Sequence, residues 1–148
     1  MLARTGADKV SLVGHSQGGL LAFLVAQSPG LAGHIDRIVA IAPSLHGTTR
    51  VPEALPPAYC PACAQQAARS PFMQSLQAMK FNPPGVQAFI LATRQDAVVT
   101  PVAAQFLDEP GVTNLLLQDA YPDIRATHSG LLHVPEAVAL VRDFLGSP

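Results

Sequence analysis

Ser16 stands between two glycines in Gly14-His15-Ser16-Gln17-Gly18, with Gly19 directly after. A serine hydroxyl is a poor nucleophile at its free pKa. It becomes a good one when a histidine takes its proton and a carboxylate orients that histidine. Glycine at both second neighbours suits a serine on a tight strand-to-helix turn, where the backbone leaves no room for bulk and pushes the hydroxyl outward. The plainer reading makes Ser16 a helix N-cap without chemistry. The histidines available as base are His15, His34, His46, His128 and His133, and the later acids are Asp96, Asp108, Glu109, Asp119 and Asp123. Cys60 and Cys63 form a C-x-x-C that suits a local disulfide, half a metal site or a redox pair. With no second ligand pair, zinc is disfavoured and no metal site is expected. The pair follows the proline-rich stretch 51–57 rather than a strand, which argues against a thioredoxin-like role. The expectation is a short disulfide stapling a loop, with reduced thiols as the alternative.

These side chains need elements to hold them. Residues 10–13 are an apolar run ending at Gly14, and 20–27 are helix-like and stop at Ser28-Pro29-Gly30, which frames Ser16 as strand, turn, helix. Gly19 would let that helix pack close to the sheet. Residues 35–42 have the profile of a strand buried on both faces. The stretch 45–85 holds seven of the fourteen prolines, the cysteine pair and one or two helices between 62 and 79. It interrupts the alternation as an insertion or cap. Alternation resumes with a strand at 86–93, a short helix at 102–107, a strand at 112–117 and an amphipathic helix at 135–145. The expected fold is α/β, a mostly parallel sheet of about four strands with helices on both faces.

With a nucleophile on such a turn, the partners follow in the order serine, acid, histidine. Asp96 lies just past the strand 86–93, at its carboxyl end. Asp108 and Glu109 lie at the wrong end of a strand, and Asp119 and Asp123 lie close to the histidine in sequence. His128 occupies the loop between the last strand and the last helix, with His133 as its main competitor. The blander readings are an exposed turn residue for Asp96 and a polar loop residue for His128. The backbone N–H of Gln17, directly after the nucleophile at a helix start, is a ready donor for an oxyanion. Val98, Val99, Leu131 and Leu132 flank the acid and base and are candidates to line an apolar pocket.

The bulk numbers narrow the partners. At 148 residues the chain reads as one domain, 1–148. Nine Lys plus Arg balance ten Asp plus Glu with no basic run, so neither nucleic acid nor an anionic membrane is expected to bind. The N-terminus lacks the apolar stretch of a signal peptide, and no window is long enough to span a bilayer.

Five blocks in order, Gly14-His15-Ser16-Gln17-Gly18-Gly19, Ala42-Pro43-Ser44-Leu45-His46-Gly47-Thr48-Thr49, Cys60-Pro61-Ala62-Cys63-Ala64-Gln65-Gln66, Asp96-Ala97-Val98-Val99-Thr100-Pro101 and His128-Ser129-Gly130-Leu131-Leu132, together resemble the bacterial class 2 lipases of the α/β-hydrolase superfamily. The resemblance implies a lipase or esterase, usually exported, acting on acylglycerols and other acyl esters without a cofactor. It implies Ser16, Asp96 and His128 as nucleophile, acid and base, and gives 46–49 no catalytic role, leaving a turn beside the pocket. Some relatives have a cysteine where this chain has Tyr121, which leaves Cys60 and Cys63 to pair with each other or not at all. Members carry strands ahead of the elbow and a loop there that supplies a second oxyanion donor, whereas this sequence starts close to the elbow. The expectation is therefore a partial α/β-hydrolase fold, with strand 10–13 at an edge open to self-association and with weak or no activity for the isolated chain. A catalytically silent fragment or binding module that keeps the elbow is the alternative. Thioesterase or acyltransferase chemistry would use the same residues.

Overall fold

Two mostly apolar stretches, 35–42 and 86–93, become the two interior strands of a parallel sheet, where both faces are buried. The computed structural model describes residues 2–31 and 33–146. Along the chain come α1 (Leu2–Thr5), β1 (Val10–His15), α2 (Gln17–Ala26), β2 (Ile35–Ile41), α3 (Pro61–Gln66), α4 (Pro71–Leu76), β3 (Gln87–Ala92), β4 (Val112–Leu116), α5 (Leu117–Ala120) and α6 (Pro135–Gly146). Single 3₁₀ turns occupy Val102–Gln105 and Gly130–Leu132. The four strands pair in the order β1-β2-β3-β4, each parallel to the next. This is the partial α/β-hydrolase architecture expected from the sequence.

Strand side chains alternate between two cores. Ile38, Ala40, Ala88 and Ile90 face α2 and pack with Leu20, Phe23 and Ala26. Val39, Ile41, Phe89 and Leu91 face the other way, against Leu117, Leu131, Ala137 and the α6 residues Leu140, Val141 and Phe144. Helices thus cover both faces of the sheet. The proline-rich stretch adds to the first core, because Leu45, Met73, Leu76 and Phe81 join it. Two short helices form there, each with proline in its first turn. Ser70 caps α4 by accepting from Met73 N–H at 3.1 Å. Cys60 caps α3 and is joined to Cys63 by a disulfide. Thr48 N–H donates to Gln66 O at 2.8 Å and Ala68 N–H to Thr48 O at 3.2 Å, which ties α3 to the loop after β2.

β1 is an edge strand, as expected, and Val13 on it is 54% exposed. On α2, Leu21 and Val25 are exposed as well, one helical turn apart. α2 is apolar on nearly every side, the composition of a helix covered all round.

Candidate active site

All three candidate residues of the hydrolytic set lie beyond the carboxyl ends of the strands. Ser16 links β1 to α2 in the left-handed region, at φ 57°. For a residue with a Cβ this conformation is strained, and it persists where surrounding bonds hold it. Here Ser16 N–H donates to Ile41 O at 2.9 Å, and Ser16 O accepts from Gly19 N–H at 3.0 Å. The Ser16 hydroxyl makes no capping bond to α2, so the N-cap reading does not describe this residue.

The two flanking glycines have different reasons. A Cβ on Gly14 would lie 2.1 Å from Gly18 O, whereas a Cβ on Gly18 would meet nothing within 4 Å. The expectation that neither position tolerates bulk is corrected for Gly18, because space there is open. Close packing falls instead on Gly19, where a Cβ would lie 2.8 Å from Pro43 Cβ, as expected for a helix seated tightly on the sheet. Gln17 is the first residue of α2, so its N–H has no acceptor inside the helix.

Asp96 and His128 meet in a hydrogen bond, with Nδ1 donating to Asp96 Oδ2 at 2.7 Å, and each residue is 6% exposed. The other carboxylate oxygen accepts from Val98 N–H at 2.8 Å and Val99 N–H at 2.9 Å. Burial works to raise the Asp96 pKa, but the bonds from His128, Val99 and Val98 outweigh it, and the carboxyl sits below its ordinary value. Because Nδ1 carries the proton shared with Asp96, Nε2 of the neutral ring is left as an acceptor.

His15, next to Ser16 in the chain, brings that ring to the elbow. Its ring centroid lies 4.6 Å from that of His128, and its Nε2 donates to the His128 backbone carbonyl at 3.1 Å. Burial lowers the His15 pKa, which disfavours the charged form of this ring. Among the described residues, no hydrogen bond joins Ser16 Oγ to the His128 ring.

With this geometry in view, the comparisons with known proteins are direct. The sequence matches the alpha/beta hydrolase fold family over residues 1–106. The chain belongs to that family. Among solved structures it is similar to Aspergillus fumigatus lipase B, at 27% identity and a TM-score of 0.77, over 92% of this chain and 36% of that one. It is similar in fold to an alpha/beta superfamily hydrolase from Oenococcus oeni, at 16% identity and a TM-score of 0.56, over 97% of this chain and 68% of that one. A third likeness, also of fold, is to the esterase RhEst1 from Rhodococcus, at 17% identity and a TM-score of 0.56. The chain thus spans about a third of the fungal lipase's length. A comparison with curated proteins finds no match.

The rival acids lie elsewhere. Glu109 accepts from the N–H groups of Phe81 and Asn82 at 3.0 and 2.8 Å, at the amino end of the sheet. Asp119 pairs with Arg94 on the surface, and Asp123 is exposed. His133 is exposed, and His34 bonds Asp8 O beyond the amino end of β2. The pocket candidates divide. Val98 and Leu132 are exposed beside the acid and base, whereas Val99 and Leu131 are buried, Leu131 in the core facing α6. The larger described cavity, about 950 Å³, lies among Lys9, Gln27, Lys80, Asn82 and Glu109 at the amino ends of the strands, away from Ser16.

Several residues that hold the site carried no signal in the sequence. Thr93 Oγ1 donates to Ala126 O at 2.7 Å, and Gln118 Nε2 donates to Ile124 O at 3.1 Å. Arg94 N–H donates to Gln118 Oε1 at 2.9 Å, so the end of β3 is clamped to the loop that carries His128. From the other side, Thr48 Oγ1 donates to Val98 O at 2.7 Å and accepts from Thr100 N–H at 3.1 Å, bracing the loop that carries Asp96. That gives the turn 46–49 a supporting place. Each is an ordinary polar residue whose partner lies far along the chain, so no local pattern marks it.

Proposed function

We propose that this chain is a serine carboxylic ester hydrolase of the lipase or esterase kind, acting through an acyl-enzyme on Ser16. The observation that carries the reading is the buried 2.7 Å bond between His128 and Asp96, set beside a strained serine at the carboxyl end of β1. Ser16 Oγ attacks the ester carbonyl carbon as its proton passes to His128 Nε2, and the carbonyl electrons move onto oxygen. Asp96 keeps Nδ1 protonated and stabilises the imidazolium that forms. The N–H of Gln17 donates to the oxyanion. Collapse of the tetrahedral adduct breaks the C–O bond, and the alcohol leaves with the proton from His128. Water then repeats the sequence on the acyl-enzyme and releases the acid.

The resemblance of the five sequence blocks to the bacterial class 2 lipases supports an acyl ester or lipid substrate and a role in lipid breakdown. The disulfide of Cys60 and Cys63 is consistent with an exported protein, because such bonds persist in oxidising compartments. The open edge of β1 supports self-association along that strand. The test is hydrolysis of p-nitrophenyl esters of increasing acyl length by the chain and by Ser16→Ala and His128→Ala. Turnover lost in both variants is expected. Turnover that persists in Ser16→Ala would overturn the reading.

A further inference from the structure

Gln105 ends the 3₁₀ turn that follows the acid loop and is wholly buried. Its Nε2 donates twice, to Asp96 Oδ2 at 3.0 Å and to Val99 O at 2.9 Å. Both partners are acceptors, so the amide cannot turn over. Its Oε1 is buried and has no hydrogen-bond partner among the described residues. An unpaired buried amide oxygen works against stability, and methionine would fill the same space without it. The amide is therefore accounted for by its donor end. That end lands on the same carboxylate oxygen that accepts from His128.

Resting on the hydrolase reading above, we propose that Gln105 is a positioning residue for the reaction: it fixes the Asp96 carboxylate so that Oδ2 meets His128 Nδ1, and it takes up part of the charge that His128 would otherwise face. Val98 and Val99 hold Oδ1 alone, and Gln105 and His128 share Oδ2. Removing one of the two donors on Oδ2 leaves more negative charge against the imidazole, which favours the imidazolium. The other titratable group facing the pair is His15, from β1. Arg94 lies outside, on Asp119.

The experiment follows the imidazole of His128 by NMR titration in the whole chain and in Gln105→Met and Gln105→Glu, with ester turnover across pH and a thermal melt of each. In Gln105→Met the His128 midpoint rises by about half a unit or more. The acid limb of kcat/KM rises with it, and kcat falls about tenfold at unchanged KM. In Gln105→Glu a second carboxyl buried against Oδ2 takes a proton and donates it to that oxygen, so the donor is restored and the midpoint stays closer to the wild type than in Gln105→Met. A purely space-filling Gln105 would change the melt and leave both pH profiles in place. A folded Gln105→Met chain with an unmoved His128 titration would overturn the proposal. If ester turnover persists in Ser16→Ala while the midpoint still moves, the hydrolase reading fails and the hold on Asp96 stands.

Discussion

In Gly14→Ala the new Cβ sits 2.1 Å from Gly18 O, 2.3 Å from Gly18 C and 2.6 Å from Gly19 N. All three are backbone atoms of the first turn of α2, so no side chain can swing aside. Restoring the 3.0 Å that real Cβ atoms keep requires that turn to retreat by about 0.9 Å. Forced repacking of this kind costs at least about 2 kcal/mol. The same retreat moves Ser16 and the Gln17 N–H out of line, and a misplacement of about 1 Å lowers rate about 10²-fold. Gly18→Ala adds the same methyl group in open space on a helix, where it stabilises by about 0.4–1 kcal/mol. The two variants should thus differ by about 3 kcal/mol, or about 6–12 °C in Tm for a chain of this size. Urea titration and thermal melts read the stability difference, and the rate of organophosphonate labelling reads the elbow. Equal destabilisation by the two substitutions would refute the packing of α2 against Gly14.

Asp96→Asn keeps an oxygen for Val98 and Val99 but turns an NH₂ group toward two donors, His128 Nδ1 and Gln105 Nε2. The imidazole is driven to the wrong tautomer, and kcat should fall about 10⁴-fold in ester turnover. Because the Asp96 pKa is depressed in the folded state, the stability it contributes is present above the ordinary value of 3.8 and is lost as pH falls through the lower folded value. Urea melts from pH 6 downward should show the wild type losing stability in that acid window, with Asp96→Asn losing less. Val13→Lys places a charge on the open edge of β1 and should reduce self-association, seen as a smaller sedimentation coefficient at high concentration.

Much of the scaffold was legible because parallel strands buried on both faces leave mostly apolar runs, as in residues 35–42 and 86–93, which are interrupted by Asp36, Arg37, Gln87 and Thr93. β2 and β3 fall within those runs at Ile35–Ile41 and Gln87–Ala92. α2 begins at Gln17 rather than near residue 20, since Gly18 and Gly19 look like helix breakers until the strand beneath them is known. α1, α5 and the 3₁₀ turn at Gly130–Leu132 are too short to show a period. That Asp96 and His128 would meet was legible from chain order and strand ends. Gln105, Thr93, Gln118 and Thr48 were not, because hydrogen-bond partners 6 to 52 residues away leave no local pattern. The burial of Val99 and Leu131 was not legible for a related reason. Nearness in sequence to acid and base does not say which way a side chain points.

The central claim is that Ser16 is a nucleophile activated by His128. Reaction of the folded chain with a fluorophosphonate, followed by intact mass and peptide mapping, tests it without assuming a substrate. One adduct is predicted, on the peptide containing Ser16, lost in Ser16→Ala and formed much more slowly in His128→Ala. A soluble chain with a cooperative melt that takes up no adduct would contradict the account.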